Sequence, residues 1–152
     1  MKWFVIAVAL AFLGASAAPA PGETAVGDPA NEVRAVLQAQ QEAWNRGDID
    51  GFMNGYAHTD SIVFVSGDDV TRGWQTVHDR YQTKYSDRAK MGELTFSDLE
   101  ITLIDAEAAQ VDGRWKLKRA KDEPHGRFTL LLRRLPEVWR IVHDHTSSAA
   151  TP

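Results

Sequence analysis

Apolar residues recur at helical spacing in the first part of the chain after residue 28. Asp28 and Pro29 are typical of a helix start, as N-cap and first helical residue. The apolar face continues to Trp44, and Gly47 is suited to end the helix in a left-handed conformation. A second short helix is predicted directly afterwards, capped by Asp48. Its apolar face consists of Ile49, Phe52, Met53 and Tyr56.

The pattern then changes to strands, with one further helix. The β-branched and aromatic run 61–66 predicts a strand, and Gly67-Asp68-Asp69 predicts a turn. Residues 70–73 are expected to lead into a third helix from about Trp74. A turn is possible within the later strands, at Asp112-Gly113. These strands are predicted over residues 94–104, 108–119, 126–134 and 138–147. The order favours an α+β fold, with helices on one face of a curved antiparallel sheet.

The N-terminal residues have the pattern of a secretory signal. Lys2 precedes an apolar run from Trp3 to Leu13, and small residues allow cleavage after Ala17 or as late as Ala20. The run is too short to cross a bilayer, which takes about 20 apolar residues, so no membrane anchor is expected. The mature protein is therefore expected to be periplasmic or secreted. We predict a signal peptide over 1–17, a linker over 18–28, one domain over 29–147 and a frayed tail over 148–152.

Composition excludes several classes of function. The chain has no cysteine, which rules out disulfides, a thiol nucleophile and a lipid-anchored cysteine. A formal net charge of −4 argues against nucleic-acid binding. The basic residues over 114–121 are followed directly by Asp122 and Glu123, as on a solvated strand face. No Walker-type loop or Gly-x-Gly-x-x-Gly motif is present, so no cofactor is expected.

Four segments resemble a known protein family: 43–51 (AWNRGDIDG), 72–74 (RGW), 113–115 (GRW) and 139–147 (WRIVHDHTS). They are similar to the nuclear-transport-factor-2-like superfamily, in its SnoaL-like, ketosteroid-isomerase-like bacterial branch. The resemblance implies a cone-shaped barrel, in which a strongly bent antiparallel sheet packs on about three N-terminal helices around a cavity. It also implies a homodimer. The family includes both enzymes and non-catalytic modules, so the fold alone selects no chemistry.

The catalytic residues of ketosteroid isomerase do not carry over to this chain. That enzyme uses an Asp base and an oxyanion hole of a Tyr and a protonated Asp. Superposition on the segment Asn45–Asp48 places the Tyr at Gln40 and the base at Phe64 or Val65. The second acid falls in the strand 126–134, which contains no Asp or Glu. Isomerisation by that mechanism is therefore not expected, because it needs a positioned base.

His143 and His145 are the candidate catalytic residues. They stand two apart in the last strand and are expected to share the inner face with Trp139 and Ile141, while Asp144 points to the other face. The two imidazoles can bind a metal, act as a general base or hydrogen-bond groups at the barrel mouth. No metal is predicted, since two ligands are too few for a closed zinc site. A third ligand would have to come from His58, Asp60, His78 or Glu93.

A ligand pocket with an aromatic wall is also expected, although an aromatic residue at such a position is more often simply part of the core. The predicted lining consists of Trp44, Tyr56, Trp74, Tyr81, Tyr85, Trp115 and Arg127. The favoured hypothesis is a pocket for a small hydrophobic or aromatic ligand, gated by His143 and His145. One alternative is a non-catalytic, homodimeric interaction module with a packed interior. The other is a metal-dependent hydrolase that uses the two histidines.

Overall fold

The computed structural model describes residues 27–136 and 138–149. In chain order its elements are α1 (Pro29–Asn45), α2 (Ile49–Met53), β1 (Val63–Ser66), β2 (Asp69–Arg72), α3 (Trp74–Lys84), α4 (Arg88–Met91), β3 (Glu93–Leu103), β4 (Ala108–Lys118), β5 (His125–Arg134) and β6 (Trp139–Thr146). None of the helices in these residues combines the length and the apolar character needed to cross a membrane. The predicted signal peptide, most of the linker and the last three residues lie outside the described residues.

The six strands form one mixed sheet in the order β2-β1-β6-β5-β4-β3. Neighbouring strands are antiparallel, except that β1 and β6 run parallel. The predicted α+β fold is confirmed, with one difference: the sheet is not wholly antiparallel, because the final strand returns to lie beside the first. The largest fully buried side chains come from both the helices and the sheet and include Leu37, Met53, Ile62, Leu132, Trp139 and Ile141.

Local sequence signals set the bounds of α1 and α2 as predicted. Asp28 Oδ1 accepts a hydrogen bond from the backbone N–H of Ala30 at 3.0 Å, at the start of α1. Beyond the end of α1, Gly47 has a φ of 84°, a conformation that glycine adopts without strain. Asp48 then caps α2 by accepting from the N–H of Gly51 at 2.7 Å.

The C-terminal end of α1 is tied to the edge strand β3. Asn45 accepts from the backbone N–H of Leu94 at 2.7 Å and donates to its carbonyl at 2.9 Å. Gln41 accepts from the N–H of Phe96 at 2.7 Å. These side chains pair with the outer edge of the sheet, which would otherwise be open. They also hold Trp44 of the same helix over the sheet.

Residues 69–72 form strand β2, where a lead into the third helix was predicted. β1 and β2 make a hairpin in which Ser66 pairs with Asp69 across a two-residue loop. Gly67 in that loop has a φ of 62°, as the tight turn requires. The predicted turn is thus real but one residue shorter than expected. The short helix α4 was not predicted at all.

The turn that the sequence suggested at Asp112-Gly113 is absent, because β4 continues through both residues. Gly113 is paired with Phe128 of β5. A Cβ added at Gly113 would lie 2.5 Å from the Phe128 ring and 2.8 Å from Leu99. Glycine is therefore needed here for close packing and not for a turn.

A β-bulge in β6 decides which of its side chains face the helices. Ile141 pairs with Leu132. The next pair joins His143 to Leu131, so Val142 is an extra residue on this strand. Leu131 and Leu132 are adjacent and point to opposite faces, and so their partners do as well. The alternation along β6 is therefore reversed after Val142.

Candidate functional site

A cavity of about 100 Å³ lies between the helices and the sheet. A water molecule needs roughly 10–15 Å³ of such space, and an apolar cavity of about 150 Å³ holds benzene. The cavity therefore has room for several waters, but a ring the size of benzene would not fit wholly inside it. Its wall is mainly aromatic and includes Trp44, Phe52, Tyr81, Tyr85, Trp115 and Phe128.

The aromatic wall on the helical side is a continuous cluster of rings in contact. Trp44 meets Phe52 and Tyr85 edge to face, with ring centroids 5.1 Å and 4.7 Å apart. Phe52 also contacts Tyr81, at 5.1 Å between centroids. The Trp44 indole N–H donates to the carbonyl of Met91 at 3.2 Å, which fixes the orientation of its ring. This side of the cavity is thus held by packing and by a hydrogen bond.

Of the described residues that line the cavity, Asp144 alone carries a carboxyl group. It is 5% exposed, and its Oδ2 accepts a hydrogen bond from the Tyr56 hydroxyl at 2.7 Å. Its Oδ1 is buried and has no hydrogen-bond partner among the described residues. Buried acceptors in folded proteins are nearly always paired. The free oxygen of Asp144 is therefore available to a group bound in the cavity.

Burial gives Asp144 unusual acid–base properties. It raises the pKa of this carboxyl to about 7, and the hydrogen bond from Tyr56 only partly opposes the rise. Burial, reinforced by the charge on Asp144, also raises the pKa of Tyr56 and of Tyr81 well above the ordinary range. Both phenols therefore stay neutral near pH 7. The carboxyl beside them can accept or donate a proton at neutral pH.

The cavity opens towards the C-terminal end of β6. Asp144, Thr146 and Ser148 all line it, and exposure increases in that order from buried to exposed. Two cationic side chains of α3, Arg80 and Lys84, also belong to the wall, and Lys84 is exposed. The interior is thus apolar around one carboxyl, while the mouth is polar and positively charged.

The SnoaL-like domain family matches the chain over residues 33–151, which include every element described above except the first turn of α1. The chain belongs to this family. The resemblance found in the sequence is therefore confirmed, and the fold and the family agree.

Solved structures similar to this SnoaL-like domain carry the same fold. A nuclear-transport-factor-2-like protein of unknown function from Shewanella oneidensis MR-1 is 40% identical, over 79% of this chain and 99% of that one, with a TM-score of 0.76. One of unknown function from Pseudomonas putida KT2440 is 19% identical, over 81% and 88%, with a TM-score of 0.68. A ketosteroid isomerase-like protein from Erwinia carotovora atroseptica SCRI1043 is 18% identical, over 82% and 99%, with a TM-score of 0.66. The last two likenesses show the fold alone. No curated protein matches the chain.

The positions aligned with the isomerase groups do lie in the cavity wall of this SnoaL-like domain, but they carry other chemistry. Gln40 and Phe64 both line the cavity. Gln40 is 2% exposed and donates to the carbonyl of Phe52 at 3.1 Å. Neither residue can act as a base. The one carboxyl group among the described residues of this wall belongs to Asp144, on β6.

The structure brings five residues of the predicted pocket together in the cavity wall: Trp44, Tyr56, Tyr81, Tyr85 and Trp115. Trp74 lies elsewhere, stacked between His58 and His78 at 4.1 Å and 4.9 Å between ring centroids. Arg127 is also outside the wall, so its predicted place in the pocket is wrong. It is exposed on the opposite face of β5, because its neighbour Phe128 points inward.

His143 and His145 do not line the cavity, so their predicted orientation is wrong. The bulge at Val142 turns Asp144 inward and both histidines to the other face, where His143 is half-buried and His145 exposed. The geometry therefore gives them no contact with a molecule in the cavity. Within residues 27–136 and 138–149, no group of three His, Cys, Asp or Glu side chains is arranged to hold a metal ion.

Sequence reasoning missed the three charged residues of the cavity wall. Asp144 was assigned to the wrong face, because the bulge that turns it inward leaves no mark in the sequence. Arg80 and Lys84 did leave a signal. Arg80 directly precedes Tyr81, and Lys84 directly precedes Tyr85, both tyrosines of the predicted pocket. The two pairs are one helical turn apart. That spacing places both cations beside the aromatic wall.

Proposed function

We propose that this SnoaL-like domain binds a small, mainly apolar molecule in the aromatic cavity, with Asp144 as its polar contact. The supporting observation is the buried carboxyl of Asp144, which has one oxygen bonded to Tyr56 and the other without a partner. Leaving a buried acceptor unpaired costs about 1–3 kcal/mol. A ligand that donates a hydrogen bond to Oδ1 removes that cost, and the site therefore favours such a ligand.

The size of the cavity limits the ligand. At about 100 Å³ it is smaller than the roughly 300–1,000 Å³ of pockets for drug-sized molecules. The flat rings of Phe96 and Phe128, which meet at 5.4 Å between centroids, form part of its wall on the sheet side. A molecule with one ring matches these surfaces, and part of it would extend from the interior into the open mouth of the cavity.

The two alternative functions have less support. A non-catalytic module with a packed interior has no use for a buried carboxyl with an unpaired oxygen, since that group lowers stability. A metal-dependent hydrolase that uses His143 and His145 lacks a third ligand among the described residues. Both histidines also face away from the cavity.

Binding in the cavity can be tested with the tryptophan indoles as reporters. We expect small one-ring compounds, screened by NMR on the ¹⁵N-labelled mature protein, to shift the indole N–H signals of Trp44 and Trp115. Both side chains line the cavity, whereas Trp74 and Trp139 do not. Their indole signals are therefore expected to stay in place. Compounds that shift only these last two signals would contradict the proposal.

A matched pair of variants locates the binding site. In Thr146→Trp the new ring fills the mouth of the cavity, since Thr146 belongs to its wall. We expect this variant to lose binding of every compound that the wild type binds. In His145→Trp the same side chain is added on the exposed, opposite face, and binding is expected to be retained. Equal binding by the two variants would show that the compounds bind elsewhere.

We also propose that the protein is exported, cleaved and homodimeric, as the sequence pattern and the family resemblance suggest. The expected result of mass spectrometry on the protein from its own host is a mature chain beginning at Ala18 or Pro21. Under native conditions the mass of a dimer is expected. A chain in the cell envelope that still begins at Met1, or a native mass of one chain, would contradict the corresponding proposal.

A further inference from the structure

The mouth of the cavity carries positive charge that the proposed function does not yet use. Arg80 and Lys84 are one helical turn apart on α3, and both line the cavity. Arg80 lies 3.5 Å from Asp69, but the Asp69 side chain is 74% exposed, and ion pairs exposed to this degree are weak. No acidic side chain of the described residues lies within 4.0 Å of the Lys84 ammonium.

Arg119 adds a third cation near this mouth. Although Lys84 is exposed overall, partial burial of its ammonium group, and then the charges of Arg80 and Arg119, lower its pKa. The Nε of Arg119 is buried and has no hydrogen-bond partner among the described residues. Its contact with Asp122 is long, at 3.8 Å, and the Asp122 side chain is 56% exposed. The cations therefore repel one another more than their acidic neighbours compensate, and an anion placed between them would be stabilised.

We infer that the ligand is a small aromatic or alicyclic acid whose carboxylate lies at the mouth between Arg80 and Lys84. This inference rests on the proposed function, because it names the class of molecule that the cavity binds. A carboxylate forms strong, charge-assisted hydrogen bonds with a guanidinium or an ammonium group. A purely apolar ligand would leave these positive charges without a negative partner, and a cationic ligand would be repelled.

The dimensions of the site agree with a molecule of one ring. Thr146 lies two residues beyond Asp144 on β6, and Ser66 is paired with it on β1. Strands rise about 3.3 Å per residue, so the mouth is roughly 7 Å from the buried carboxyl. A ring with a carboxylate at one end and a hydrogen-bond donor at the other spans this length. Its donor would meet Asp144 Oδ1 while its carboxylate meets Arg80 and Lys84.

The test compares acids with their neutral amides on the mature wild-type protein. The matched pairs are benzoate and benzamide, 4-hydroxybenzoate and 4-hydroxybenzamide, and cyclohexanecarboxylate and its amide. Dissociation constants are read from the indole N–H signals of Trp44 and Trp115. We expect an acid to bind about tenfold tighter than its amide, as one added charge-assisted hydrogen bond gives. The preference is expected to shrink as salt is added, because the mouth is open to solvent.

Variants then assign the preference to the two cations. The double variant R80Q/K84Q is expected to bind acid and amide equally. In the matched control Lys90→Gln the preference is expected to persist, since Lys90 pairs with Asp87 on α4 outside the cavity wall. If the double variant does not fold, the acid and amide comparison on the wild type still decides the matter.

The outcomes separate this inference from the proposed function. If amides bind as tightly as acids, or if only neutral compounds of the wider screen bind, the inference is overturned while the proposed function stands. A preference for acids that survives in R80Q/K84Q overturns it as well. If no compound of either series, and none of the wider screen, shifts the Trp44 and Trp115 signals, the proposed function fails and the inference with it.

Discussion

Asp144→Asn is expected to make the protein more stable than the wild type at alkaline pH, by an amount that grows between about pH 4 and pH 7 and then levels off. An exposed aspartate has a pKa of about 3.9, whereas burial raises that of Asp144 to about 7. At about 1.4 kcal/mol per pKa unit, the difference corresponds to about 4 kcal/mol in total. Asparagine has nearly the same shape and no charge, so it avoids this penalty.

Stability changes with pH in this direction because the folded protein binds the Asp144 proton more tightly than the unfolded chain does. Between about pH 4 and pH 7 the folded protein keeps the Asp144 proton and the unfolded chain has lost it, so stability falls as pH rises through that window. Urea unfolding near pH 5 and near pH 8 measures the effect. The wild type is expected to lose about 2.5 kcal/mol more than Asp144→Asn between these two conditions. An equal change in the two proteins would contradict the assignment of a raised pKa to Asp144.

Asp112→Asn is the matched control. Hydrogen bonds from Thr129 and Gln110 lower the pKa of Asp112, so this carboxyl is ionised in both the folded and the unfolded state between pH 5 and pH 8. Its replacement is therefore expected to leave the pH dependence of stability in that range unchanged. The comparison separates burial of a carboxyl from the general effect of an Asp to Asn change.

A buried carboxyl with this cost is an argument for function. Nothing in the packing around Asp144 requires a charge, since a neutral residue could accept the hydrogen bond of Tyr56 equally well. Proteins retain groups that lower stability chiefly where a ligand or a reaction uses them. The expected gain in stability of Asp144→Asn and its expected loss of ligand contact are thus two consequences of the same unpaired oxygen.

The sequence predicts this fold well wherever the signal is local. Asp28, Pro29, Gly47 and Asp48 act within one or two turns of a helix, and the structure uses each as predicted. The hairpin strand β2 was missed, because its short polar sequence becomes a strand only by pairing with β1. Which strands pair depends on contacts between separate segments of the chain, and a single sequence does not show those contacts.

The candidate site illustrates the same limit more sharply. Strict alternation along β6 placed His143 and His145 inside and Asp144 outside. One extra residue, Val142, reverses this alternation, so that Asp144 faces the cavity and the two histidines face away from it. The aromatic wall was less sensitive, because large side chains on helices α1 to α3 follow a periodicity that no bulge interrupts. The sequence therefore predicted most of the aromatic residues on the helical side of the wall, and the structure was needed to find the carboxyl group beside them.

Trp44→Ala is expected to destabilise the protein by about 3–5 kcal/mol, as removal of a buried aromatic side chain generally does. Trp44 is 2% exposed and meets Phe52, Tyr81 and Tyr85 edge to face. The change also leaves the carbonyl of Met91 without its indole donor. Urea unfolding of the variant measures the loss. Because the missing indole would enlarge the aromatic cavity, added free indole is expected to restore part of the stability.

Trp74→Ala provides the comparison that isolates burial. It removes the same side chain and likewise breaks one bond from an indole to a carbonyl, here that of Met53 at 3.1 Å. Trp74 is only half-buried and lies outside the cavity wall, so a loss of about 1–2 kcal/mol and no rescue by indole are expected. Equal losses in the two variants would mean that Trp44 is not the centre of the cluster. Rescue of Trp74→Ala by indole would mean that the rescuing molecule acts outside the cavity.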